Sequence, residues 1–165
     1  GFLKLDVTNA ASTNNTAFPW NPQANTFGVS SDAATNSNGL TYVAYCFADI
    51  QGYSKFGSYV GNGNADGSFV YTGFKPAFVI FKRSSDSTEN WMMLDNERSP
   101  FNVANKRLSP NLNAAENTDI PTDFLSNGFK IRTSGGGMNA SGVTYIYAAF
   151  GQPIVSTNGD IATAR

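Results

Sequence analysis

No histidine occurs anywhere in the 165 residues of the chain. That absence removes imidazole general bases, Ser-His-Asp triads and His-ligated zinc from the chemistry open to it. A single cysteine, Cys46, is present, and alone it closes no internal disulfide and builds no thiolate metal cage. It stands in the apolar run Tyr42-Val43-Ala44-Tyr45-Cys46-Phe47-Ala48. The expectation there is a buried core thiol, because a free cysteine packs as a small hydrophobe; as a nucleophile it lacks a histidine to activate it. Charge is also scarce. Charged residues make up 14% and the net charge is −1, with no basic stripe, against about a quarter charged in an average domain. Nucleic acid is therefore not an expected partner, since phosphate neutralisation dominates that affinity. No run approaches the roughly 20 apolar residues of a membrane-spanning helix, so no membrane insertion is expected. No signal peptide is visible, and the opening Gly1-Phe2 suggests a processed chain or a fragment of a longer product.

Asn, Ser, Thr and Gly fill the space that charge leaves. These residues favour turns and caps over helix interiors. Hydrophobic residues reach 41% and aromatics 13%, with thirteen Phe and seven Tyr, and aromatics suit strands. Strand patterns recur at residues 2–6, 26–30, 41–48, 55–60, 68–71, 76–82, 90–95, 128–132 and 143–150. Polar clusters such as Thr35-Asn36-Ser37-Asn38-Gly39 and Ser134-Gly135-Gly136-Gly137 separate them. No amphipathic helix is evident, and the region before Arg107 reads as a long loop. Short strands with Gly and Asn punctuation predict an all-β fold, an antiparallel β-sandwich (jelly-roll-like) with long polar loops.

The chain also repeats itself. Asn25-Thr26-Phe27-Gly28-Val29 returns as Asn127-Gly128-Phe129-Lys130-Ile131, 102 residues on. The stretch from Asn36 through Thr41-Tyr42 to Phe47 returns from Asn139 through Thr144-Tyr145 to Phe150, 103 residues on. Phe2-Leu3-Lys4-Leu5-Asp6 matches Trp91-Met92-Met93-Leu94-Asp95, 89 residues on. Only the second copy has the preamble from Tyr53 to Arg83. The expected organisation is a partial first repeat unit at 1–50, a complete second unit at 51–152 packed with it as one β domain, and a C-terminal tail at 153–165. The N-terminal strands are expected to find partners outside their own half-unit.

Few motifs point to chemistry. Asn62-Gly63-Asn64-Ala65-Asp66-Gly67 imitates the opening of a calcium loop, but Gly73 stands where the twelfth-position glutamate belongs. The simpler reading is a turn between strands. Asp86, Glu89, Asp95, Glu97, Glu116, Asp119 and Asp123 could supply a glycosidase pair. Asp6 and Asp95 occupy equivalent repeat positions, however, which suits a turn or cap residue better. No catalytic residue, cofactor or metal ligand is assigned. The candidate surface-binding residues are Trp20, Tyr53, Asn62, Asn64 and Asp66: aromatic faces match sugar rings, and the Asx side chains offer polar contacts. Trp91, in an apolar strand, is read as core.

Several strings are specific. They include Thr41-Tyr42-Val43-Ala44-Tyr45-Cys46-Phe47, Gly52-Tyr53-Ser54-Lys55-Phe56-Gly57-Ser58-Tyr59, Phe69-Val70-Tyr71-Thr72-Gly73-Phe74-Lys75-Pro76, Asp123-Phe124-Leu125-Ser126-Asn127-Gly128-Phe129 and Thr144-Tyr145-Ile146-Tyr147. Together they resemble a domain repeated in tail-fibre-like structural proteins of tailed bacteriophages, notably marine and cyanobacterial phages, often at the C-terminal end. Gly151-Gln152-Pro153 departs from the more usual acidic and polar residues after the last strand. The resemblance implies a virion location in the tail, extracellular, with other virion proteins and a host cell-surface glycan or protein as partners, in a homotrimer. It implies host attachment without catalysis. The alternatives are a capsid, neck or tail decoration with no receptor, and a polysaccharide-degrading tail enzyme.

Overall fold

The computed structural model describes residues 1–13, 17–18, 25–86 and 89–152, and the backbone of 154–155 and 161–162. Strands β1 (Ser54–Val60), β2 (Phe69–Tyr71), β3 (Pro76–Arg83), β4 (Met92–Asp95), β5 (Thr122–Leu125), β6 (Gly128–Ile131) and β7 (Thr144–Gly151) form two antiparallel sheets. One sheet has the order β1-β7-β3-β4 and the other β2-β6-β5. The chain passes between sheets after β1, β2, β4 and β6, so the expected all-β sandwich is formed. A further pair, β8 (Ile154–Val155) with β9 (Ile161–Ala162), lies in the segment read as a tail. Two one-turn helices complete the set, α1 (Ala33–Asn36) and α2 (Gly136–Asn139).

Alternation decides which residues fill the space between the sheets. β7 points Tyr145, Tyr147 and Ala149 inward. Val79 and Phe81 of β3, and Met92 and Leu94 of β4, join them from the same sheet. Phe129 of β6 meets them from the other sheet, its ring centroid 5.4 Å from that of Tyr147 and 6.1 Å from that of Tyr59. Tyr59 stacks on Tyr145 at 5.1 Å, with an interplanar angle of 14°. Gly57 belongs to the same packing: a Cβ there would stand 3.0–3.2 Å from the outer end of the Tyr147 side chain, so any larger residue requires Tyr147 to shift by a few tenths of an ångström.

Strand propensity alone did not produce strands in the N-terminal part. Residues 2–6, 26–30 and 41–48, all expected as strands, form none, and only Phe2 makes an isolated bridge, to Ser12. A strand exists through its neighbours' hydrogen bonds, and among the described residues these segments pair with no other strand, the backbone bonds of Phe2 with Ser12 and of Ser30 with Ala17 standing alone. Residues 40–49 run as exposed chain. Cys46, expected in the core, is exposed. Trp91 is half-buried rather than core, and its indole N–H donates to the Lys4 carbonyl at 2.8 Å. That bond, the Ala11 amide on the Ser84 carbonyl at 2.9 Å, and the Phe47 ring against Phe56 and Phe150 tie the N-terminal part to the sandwich.

Candidate functional site

The loop of residues 61–67, joining β1 to β2, gathers Asn62, Asn64 and Asp66. Its shape is set by a residue from far along the chain. Asn139, fully buried at the end of α2, accepts from the Asn62 amide at 2.9 Å. Its carboxamide NH₂ lies 2.8 Å from Asn62 Oδ1, the Asn64 carbonyl and the Thr133 carbonyl. Asn62 Oδ1 also accepts from the Asn64 amide, and Asn64 Oδ1 from the Asp66 amide. The oxygens that would face a cation in a calcium loop are therefore occupied by N–H donors. Asn62 and Asn64 build the loop, and Asp66 is the residue it presents.

Asp66 faces the outer surface of the three-stranded sheet. Its carboxylate stands 2.7 Å from Lys130 Nζ and 3.5 Å from an Arg132 guanidinium nitrogen, and Arg132 in turn lies 3.5 Å from Asp123. The hydrogen bond from Lys130, reinforced by its charge, holds the Asp66 carboxyl below the usual carboxylate range. Register sets Phe69, Lys130 and Asp123 in one row across the sheet, and Tyr71, Gly128 and Leu125 in the next. Phe69 and Tyr71 are exposed, whereas Val70 between them is buried. A Cβ on Gly128 would come within 3.1 Å of the Phe69 ring, so the ring lies over a bare backbone. The result is an aromatic shelf beside a row of alternating charges. It offers ring faces for stacking and fixed donors and acceptors for hydroxyl groups.

The other sequence candidates fall elsewhere. Tyr53 precedes β1, at the opposite end of that strand from the loop; its ring sits 6.3 Å from Phe150 and its carbonyl accepts from the Gly151 amide. It belongs to packing at the end of the sheet. Trp20 lies outside the described residues. Sequence alone names Asp123 only as a candidate glycosidase carboxylate, and Phe69, Tyr71, Lys130 and Arg132 are not among the residues it singles out. The alternation of Ser68-Phe69-Val70-Tyr71 contained the signal, since a two-faced strand must turn one aromatic set outward.

Of the candidate glycosidase carboxylates, Asp86, Asp95, Glu116, Asp119 and Asp123 sit in ion pairs. Asp95 meets Arg98 through Nε at 2.7 Å, Asp119 takes Arg107 through two nitrogens at 3.0 Å, and Asp86 pairs with Arg83. Burial pushes the Asp95 carboxyl up, but the side-chain and backbone hydrogen bonds from Arg98 outweigh it and hold the group below its ordinary value. Among the described residues no group of three or more His, Cys, Asp or Glu side chains is arranged to hold a metal, and no helix is long and apolar enough to cross a membrane.

The family described as "Domain of unknown function (DUF7483)" matches residues 1–153. No curated protein and no solved structure matches the chain.

Proposed function

The chain belongs to this family, a domain of unknown function, and we propose that it serves as a host-surface binding module of a larger assembly, a virion tail-fibre-like component that attaches without catalysis. One observation carries the reading: the shelf formed by Phe69, Tyr71, Asp66 and Lys130 on the free face of the three-stranded sheet. Exposed aromatics beside oriented charges suit a sugar, whose apolar ring face stacks while its hydroxyls exchange hydrogen bonds. Single contacts of this kind are weak. Several copies on one fibre, as in a homotrimer, raise apparent affinity through effective concentration. The likeness to phage tail-fibre-like proteins supports the glycan as target and the virion tail as location. The ion pairing of Asp95, Asp119 and Asp86 favours binding over hydrolysis, because a paired, ionised carboxylate is a poor general acid.

A glycan array probed with the chain, followed by binding to intact host cells, tests this. Tyr71→Ala should reduce binding at least about tenfold, the scale of one lost stacking contact, and leave the fold intact. Unchanged binding would move the site elsewhere, and shortened glycan chains after incubation would establish an enzyme. A second reading, a structural subunit held by large interfaces and binding no receptor, is favoured by the exposed apolar surface of residues 25–50. Firm incorporation into a particle with no binding to any host cell would support it.

A further inference from the structure

The two sequence copies adopt the same local structure and then diverge in what surrounds them. α1 ends at Asn36 and α2 at Asn139, and each is followed by a residue, Ser37 and Ala140, with ψ of 138°. Gly39 and Gly142, three residues past each helix, take φ of 76° and 75°. That left-handed conformation favours glycine. Each turn is then closed by a tyrosine. The Tyr42 hydroxyl accepts from the Ser37 amide and donates to the Ala33 carbonyl, both at 2.9 Å. The Tyr145 hydroxyl accepts from the Ala140 amide at 3.0 Å and donates to the Gly136 carbonyl at 2.5 Å. Every partner corresponds, 103 residues apart.

Beyond the tyrosine the environments are opposite. Tyr145, Ala149, Phe129, Ile131 and Leu94 are core residues of the sandwich, each at 0% exposure. Their counterparts Tyr42, Cys46, Phe27, Val29 and Leu5 are all exposed. Phe27, Val29, Tyr42 and Cys46 line one open cavity of about 580 Å³. Packed protein interiors contain few voids larger than a water molecule, and this apolar space, lined by counterparts of core residues, is open on one side among the described residues. The open side can be matched to the complete unit. There β7 lies between β1 and β3, and residues 53–83, which contain β1, β2 and β3, are the part with no counterpart before residue 50.

We propose that residues 41–47 are the second strand of another unit's four-stranded sheet, and that this site takes the β1–β2–β3 segment of a further repeat unit of this family. The occupant would place one strand on each side of residues 41–47, as β1 and β3 flank β7, and would close the cavity over Phe27, Val29 and Tyr42. The β1 edge of a second copy suits the segment poorly because it is already capped. The Ser54 amide donates to the Ile50 carbonyl, the Phe56 amide to Asp49 Oδ1, and the Val60 carbonyl accepts from Ser68.

The test duplicates residues 51–89 immediately ahead of Gly1, which restores the order of the unit because Phe2 is the counterpart of Trp91. Two readouts follow residues 41–47: alkylation of Cys46 and amide hydrogen exchange. In the parent chain Cys46 should react freely. In the extended chain its reaction should slow at least about 100-fold, with amide protection across 41–47. The same extension with aspartate at the duplicated positions of Val79 and Phe81 should give no slowing. As a second measurement that does not depend on folding of the extended chain, a synthetic peptide of residues 51–89 added to the parent should protect Cys46 saturably. Equal reactivity in all of these would overturn the proposal. So would concentration-dependent protection of Cys46 in the parent alone, which would assign the segment to a second copy of the chain.

Discussion

Residues 36–47 and 139–150 share five of twelve residues, fold into one local motif, and differ in what surrounds it. Both make the one-turn helix, the positive-φ glycine and the tyrosine clamp. In the second region the clamp launches a strand with neighbours on both sides; in the first it launches a chain that pairs with no strand among the described residues. The difference separates two levels of folding. The helix turn and clamp draw on contacts within ten residues and form wherever the sequence occurs. A strand draws on hydrogen bonds from other segments and forms only where those are present.

The sharpest way to break this comparison is a thiol moved between copies. Ala149→Cys on a Cys46→Ser background should be labelled on the order of 1,000-fold more slowly than native Cys46, because the first position opens only with the core. Comparable rates would dissolve the contrast. Next in size, Phe129→Ala should lower unfolding free energy by about 3–5 kcal/mol, and Phe27→Ala should stay within about 0.5 kcal/mol, both read from denaturant melts. Asn139→Ala strands buried partners in the 61–67 loop and should cost about 2–3 kcal/mol, with exposed Asn36→Ala nearly neutral at about 0.5 kcal/mol or less. Tyr145→Phe should cost about 1–2 kcal/mol, and Tyr42→Phe, whose partners water can replace, about 0.5 kcal/mol.

The smallest effect is electrostatic and belongs to the complete unit alone. The folded Asp66 carboxyl titrates below its ordinary value of 3.8. Its pairing with Lys130 therefore stabilises the fold fully above that value, and the contribution is lost as pH falls through the lower folded one. Asp66→Asn should flatten the acid limb of a stability-versus-pH curve slightly and leave stability at neutral pH almost unchanged. A variant that is strongly destabilised at pH 7 would show that Asp66 holds the loop as well as facing the sheet.

The same contrast governs what could be read from the sequence. From residue 54 onward the alternating segments became strands close to their expected bounds, because their partners are present. β5 was not foreseen, since Thr122-Asp123-Phe124-Leu125 is short and half polar. Its signal lay in the two-residue Ser126-Asn127 connection to β6, of hairpin length. Before residue 50 the same alternation does not correspond to strands, and the run around Cys46 has a core's composition although Cys46 is exposed. Within the candidate site the loop residues were legible as a group but not in role: Asn62 and Asn64 spend their oxygens on backbone amides. Asn139, which organises them, looks in sequence like any asparagine beside a glycine turn, and only its burial and distant partners distinguish it.

The capped margin of β1 has a consequence for behaviour in bulk. An open strand edge is a template on which identical molecules stack without limit. Here the Asp49 side chain, bonded to Lys55 as well as to the Phe56 amide, adds a charge where a neighbouring backbone would have to settle. Molecules brought together at high local density are thereby hindered from pairing sideways through β1.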